Sequence, residues 1–167
     1  MTGKAAVIFG ANGGIGSAIA DQLELDSGFA SVIRFSRSES SPVRVDLTSE
    51  ASIRDAAQWV KDRHIAPSML FVATGLLHDD KRGPEKSLRE LDADWLLQNY
   101  QVNAVGPALI AKYFLPLMDR QEIFRFAALS ARVGSISDNR LGGWYGYRAS
   151  KAALNMMIRN LSIEWTR

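Results

Sequence analysis

The stretch that most constrains this chain is "FGANGGIG", residues 9–16, because of what stands on either side of it. Before it runs "AAVIF" (5–9), short and continuously apolar, the pattern of a buried strand. After it runs "IGSAIADQLEL", with Ile15, Ile19 and Leu23 spaced by four, the pattern of a helix. Gly10, Gly13, Gly14 and Gly16 fall at the join. A strand that turns sharply into a helix there leaves free N–H groups at the helix start, where a phosphate can approach the backbone. A tight turn without a ligand is the plainer reading of the same glycines.

The rest of the chain repeats the alternation. Strands are expected at 31–36 ("SVIRFS"), 42–47 ("PVRVDL"), 68–75 ("SMLFVATG") and 122–130 ("EIFRFAALS"). Helices are expected after Thr48 or Ser49, which can cap the segment "EASIRDAAQWVKDR", from about Asp92 to Phe114, and from Tyr145 to about Thr166. Pro107 should bend the middle one. Alternating strands and helices imply parallel pairing through crossovers, hence an α/β, doubly wound parallel sheet. No linker, repeat or low-complexity stretch divides residues 1–167, so a single domain is expected.

Composition narrows the chemistry. The 167 residues are 47% hydrophobic, enough for a real core, and carry a net charge of only +2 with scattered basic residues, which gives no reason to expect nucleic-acid binding. There is no cysteine, so disulfides and thiolate chemistry are excluded, and two isolated histidines, His64 and His78, argue against a metal site. The start, "MTGKAAVIFGANGG", has neither a signal-peptide pattern nor a membrane span; a cytoplasmic protein is expected, with no membrane partner.

Near the end, "YGYRASKAALNMM" (145–157) places Tyr147 and Lys151 four residues apart, on one helix face. A free tyrosine titrates near ~10, too high for acid–base work at neutral pH, and moving it to about 7 takes roughly 4 kcal/mol. A cation about 4 Å away at an effective dielectric near 20 supplies a term of that size. Tyr145 has Ala149 four residues on and lacks such a partner. The plainer reading is a helix-start tyrosine with an exposed lysine.

Taken in order along the whole chain, the glycine turn, Asn103 in "YQVNAVGP" and Tyr147-x-x-x-Lys151 resemble the short-chain dehydrogenase/reductase family, and in particular the subgroup around C-factor and the sniffer-type carbonyl reductases. The resemblance implies a Rossmann-type sheet in strand order 3-2-1-4-5, lacking the family's last strands. It implies a nicotinamide dinucleotide held by Gly10, Asn12, Gly13, Gly14, Ile15, Gly16, Arg37, Asp46, Leu47, Thr74, Gly75, Tyr147 and Lys151. Ser36 and Arg37 at the end of the second strand, where an NAD-preferring relative would be expected to carry an acid, favour NADP(H) over NAD(H); Arg37 as a solvated turn residue is the alternative. Asp46 fits the family's adenine contact or a simple turn.

The implied reaction is hydride transfer between the nicotinamide and a small carbonyl or alcohol substrate. Tyr147 would be the acid–base, Lys151 would lower its pKa, and Asn103 would hold a relay water. Ser130 would complete the set, with Ser135 as alternative, because Ala131 fills the family's usual serine place. "VATG" (72–75) likewise departs from the family's N-N-A-G. The family continues beyond "NLSIEWTR", so a shortened product, or a form completed by another subunit, is expected. A nucleotide-binding signalling module with little turnover is the competing function. Homodimerisation through helices 92–114 and 145–166 is the expected assembly.

Overall fold

The computed structural model describes residues 4–165. Four parallel strands, β1 (Ala5–Phe9), β2 (Ser31–Phe35), β3 (Pro67–Val72) and β4 (Arg125–Ala128), form one sheet in the order β2-β1-β3-β4. The helices are α1 (Gly14–Leu25), α2 (Glu50–Asp62), α3 (Ala93–Tyr100), α4 (Gly106–Phe114) and α5 (Tyr145–Glu164). This is an α/β fold with a Rossmann-type parallel sheet. The described residues divide into two compact units, residues 4–74 with 109–129, and residues 75–108 with 130–165.

The first unit holds the sheet. All five residues of β1 are buried, as a strand paired on both sides requires. Val7 pairs with Ile33 on one side and Leu70 on the other. Beside the sheet, Phe9 meets Phe35 with ring centroids 5.4 Å apart and Phe114 edge-on at 5.0 Å, and Phe35 meets Trp59 edge-on at 6.0 Å. These contacts tie α2 and the end of α4 to the strand ends. Ser49 caps α2 by accepting from the Ser52 N–H, and Ile53, Ala56, Ala57 and Val60 form its buried stripe.

The expected strand at 42–47 is a correction. It runs parallel to the end of β2 but pairs through a single bridge, Ser36 to Arg44. Serine side chains take over the ladder's work. Ser41 Oγ receives the Ser36 N–H at 3.1 Å and itself donates to the Val43 carbonyl, and Ser36 Oγ receives the Ser38 N–H at 3.2 Å. Local side-chain bonds of this kind compete with sheet pairing. The other four expected strands are present, with β3 ending three residues early and β4 shorter at both ends.

The second unit is built around α5, packed on α3 and on the segment that follows it. The expected long helix is not one α-helix. Residues 101–105 form a π-turn in which the Gly106 N–H reaches back five residues to Gln101. Pro107 explains the break: it has no N–H for the carbonyl of Asn103, so the regular bonding pattern cannot pass through. The interruption thus lies one turn before the proline. Residue 166, in the expected last helix, lies outside the described residues.

Candidate active site

The glycine turn sits at the carboxyl end of β1, beside the end of β3, where the strand order changes direction and ligands bind in open α/β sheets. Gly10 has φ +77, and a Cβ there would come within 2.8 Å of Thr74 Cγ2. At Gly16 a Cβ would meet the Gly10 carbonyl oxygen at 2.3 Å, so glycine is what lets α1 start this close to β1. Gly14 differs: its Cβ position opens on nothing within 4 Å. The Gly10 and Ala11 N–H groups bind the Phe35 carbonyl, fixing the turn to β2. Asn12 extends across to Ser38, donating to its hydroxyl at 2.7 Å.

Three features of this turn fit an anionic group. The helix cap, Gly13, offers no side chain to the first N–H groups, and the first turn carries no acid. A Cβ on Gly14 would meet nothing within 4 Å, so the first residue of the helix borders open space. Thr74 Oγ1 is buried without a hydrogen-bond partner. A phosphate at the positive end of α1 suits that donor set.

Farther along the same edge, Ser36, Ser38 and Ser40 are linked hydroxyl to hydroxyl. Arg37 lies beside them, close enough to Asp46 to favour its ionised form. Burial works to raise the Asp46 carboxyl, but the N–H and hydroxyl of Thr48, together with Arg37, bring it below the usual carboxylate value. Asp46 therefore caps a turn through Thr48, while Leu47 is buried next to it. Ile15 is exposed on the first turn of α1.

In the second unit, α5 carries Tyr147, Ser150 and Lys151. Lys151 Nζ stands 5.6 Å from the centre of the Tyr147 ring. Lys151 is buried, and that burial pushes it from the ordinary lysine value down to about 8. Burial also raises the Tyr147 phenol. Removal from water disfavours the charged phenolate, which is the cause of that rise. The Trp144 indole stands edge-on to Tyr147 at 6.4 Å, and Tyr145 is exposed.

Asn103 is fully buried, and both ends of its amide are hydrogen-bonded. Oδ1 accepts the Leu76 N–H at 2.7 Å, and Nδ2 donates to the Leu76 carbonyl at 2.8 Å and to Ser150 Oγ at 3.0 Å. Ser150 in turn donates to the Tyr147 carbonyl at 2.9 Å. One amide therefore ties the segment after β3 to the first turns of α5. A Cβ on Gly75 would lie 3.5 Å from Lys151 Nζ and 3.6 Å from Asn103 Oδ1, so this glycine borders both groups.

Ser130 is not directed at this cluster: its hydroxyl donates to Asn155 at 2.6 Å, two helical turns beyond Tyr147. Ser135 receives the Asp138 N–H at 3.3 Å within its own loop. Two supporting residues went unread in the sequence. Ser150 looked like an ordinary helix residue between Tyr147 and Lys151. Gly134 sits where a Cβ would lie 2.9 Å from the backbone of Lys151; one more glycine in a glycine-rich loop gave no signal of that approach.

The parallel sheet with a glycine turn at the end of its first strand defines a Rossmann-type architecture. The family model for short chain dehydrogenase matches residues 4–167, and the chain belongs to that family. Among its relatives is the 1-hydroxy-2-glutathionyl-2-methyl-3-butene dehydrogenase of Rhodococcus sp. (strain AD45), 32% identical over 70% of this chain and 48% of that one. Another is the C-signal protein of Myxococcus xanthus, 36% identical over 47% of each chain. The match thus spans about half the length of these two relatives. A short-chain dehydrogenase/reductase from Burkholderia multivorans, solved with bound NADP, is 26% identical and superposes with a TM-score of 0.83 over 98% of this chain and 74% of its own.

Proposed function

We propose that this chain is the working part of an NADP(H)-dependent carbonyl reductase or alcohol dehydrogenase acting on a small molecule. The observation that carries the reading is the Tyr147–Lys151 pair on α5, braced through Ser150 by the buried Asn103 amide. In the first unit, Gly10, Asn12, Gly13, Gly14, Ile15, Gly16, Asp46, Leu47 and Thr74 would hold the dinucleotide, and Arg37 with the neighbouring serines would favour a 2′-phosphate. The bound cofactor supplies the hydride.

The remaining work belongs to side chains. Tyr147 holds a proton at its phenolic oxygen and delivers it to the substrate carbonyl oxygen; in the reverse direction it takes the proton from the alcohol. The Lys151 ammonium favours the phenolate left behind. Burial opposes that phenolate, so a second positive charge beside the pair, such as an oxidised nicotinamide would bring when bound, would favour it further. Asn103 holds the loop at Leu76 and α5 in register, and Gly75 keeps the space beside Lys151 open. Ser130 would steady the substrate oxygen once released from Asn155.

A second reading, a nucleotide-binding signalling module with little turnover, draws on the commitment of Ser130 to Asn155 and on Ala131 beside it. One experiment separates the two: assay NADPH oxidation with a panel of small aldehydes and ketones, alongside NADPH binding by fluorescence. Binding with turnover that Tyr147→Phe abolishes supports the reductase. Binding without turnover supports the module, and absence of binding defeats both.

A further inference from the structure

We propose that Glu85 is the positioning residue for the first turn of α5, and so for Tyr147; the link to Tyr147 rests on the reductase reading above. The start of α5 has no cap of its own. Its N-cap is Trp144, in the left-handed conformation with φ 52, with no side-chain cap bond and no acid in the first turn. Helix starts leave N–H groups that need acceptors. Here they come from a distant loop: the Glu85 carbonyl accepts the Trp144 N–H at 2.5 Å, and Glu85 Oε2 accepts the Gly146 N–H at 3.2 Å.

The arrangement is tight on both sides. Glu85 is 3% exposed, while Gly83, Lys86 and Ser87 around it are exposed. The segment is fastened next door, where Glu90 accepts the Lys86 N–H at 2.9 Å and the Ser87 hydroxyl at 3.3 Å. A Cβ at Gly146 would meet Glu85 Oε1 at 2.9 Å and Leu96 Cδ2 at 3.2 Å, so glycine is what admits the carboxylate. Gly143, with φ +63, passes so close that its Cβ would lie 3.3 Å from the Glu85 carbonyl. Tyr147 is the next residue after the one that Glu85 grips. A carboxylate at a helix start also complements the helix dipole.

Glu85 Oε1 and Asn99 Oδ1 are both buried acceptors without a partner. That supplies a sharp test. Glu85→Gln keeps an acceptor for Gly146 and puts an N–H₂ in place of the unpartnered Oε1, whereas Glu85→Ala removes the grip.

The experiment follows hydrogen exchange of the full chain, with kcat, KM and NADPH affinity measured in parallel. In Glu85→Ala, amides 144–147 should exchange about ten-fold faster, the scale of a lost helix cap, while residues 154–164 stay within roughly two-fold. The kcat should fall about ten-fold or more with KM and NADPH affinity little changed, and Glu85→Gln should restore both readings to within roughly three-fold. Gly146→Ala, which crowds Oε1, should reproduce the local exchange and serves if Glu85→Ala does not fold.

Unchanged exchange at 144–147, faster exchange with kcat intact, or equal damage in Glu85→Gln would each overturn the proposal. If the wild-type chain is inert, the reductase reading fails on its own, and the exchange data alone decide whether Glu85 holds the helix.

Discussion

At Lys151 the energetics can be read from one buried amine. Its folded-state value, about 8, lies below the ordinary 10.5. Between those values the unfolded chain holds the proton and the folded one has released it, so stability rises with pH across that window and is flat below it. Lys151→Met should therefore gain stability relative to wild type at pH 7, with the advantage fading toward pH 10.5. Urea melts of both proteins across pH 7 to 10.5 check this; a constant difference would contradict it. If the phenol donates the proton as proposed, Tyr147→Phe should remove any reductase activity by orders of magnitude. Tyr145→Phe should retain most of it, as paired rate assays will show. Arg37→Ala should lose the proposed preference for NADPH over NADH in fluorescence titrations, because a guanidinium pairs with a 2′-phosphate that a 2′-hydroxyl lacks. Tyr147, Lys151 and Asn103 were legible as candidates because they match the family's pattern in order along the chain, and that resemblance supplies the roles proposed for them. The shifted titrations were not, since burial is a property of the packed chain. Nor was Glu85, whose partner Gly146 lies far away in sequence.

Among elements, the glycine turn makes two substitutions of the same chemistry behave differently. Gly16→Ala puts a methyl group 2.3 Å from the Gly10 carbonyl oxygen. Overpacking of that kind should cost about 1–3 kcal/mol or more. Gly14→Ala meets nothing within 4 Å. It should leave the melting temperature within about 2 °C, since a substitution that touches no neighbour is near neutral, yet weaken NADPH binding by filling the space in front of α1. Thermal melts and NADPH titrations on both variants test the pair; an unchanged affinity in Gly14→Ala would remove the phosphate from that place. Apolar runs and helical spacing made β1, α1, α2 and β3 readable before any coordinates. Segment 42–47 was misread because Val43 and Val45 alternate as in a strand, while the bonds that dissolve the ladder come from Ser36, Ser38 and Ser41, whose reach back to their own backbone no alternation records. The π-turn was half visible: Pro107 announces a disturbance but not the five-residue bond from Gly106 to Gln101 that absorbs it.

For the molecule as a whole, exposed apolar side chains on α3 (Leu97, Tyr100) and α5 (Met156, Ile163) raise the question of what covers them. Two-fold pairing is the commonest means of burying such faces. A homodimer is the expected outcome of sedimentation at micromolar concentration, and Leu97→Lys should shift it toward monomer. A monomeric wild type would show that these faces serve something else. The sheet carries a different consequence. Every strand pair in it is parallel and joins distant stretches of chain: Val7 to Leu70, Leu70 to Phe126. No pair can zip from a hairpin, so each closure must bring far-apart segments together before any ladder bond rewards it. Such topologies refold slowly, on the millisecond-to-second scale, and expose unpaired strands while they do. Refolding yield should therefore fall as protein concentration rises, with aggregation drawing on the strands rather than on the helices.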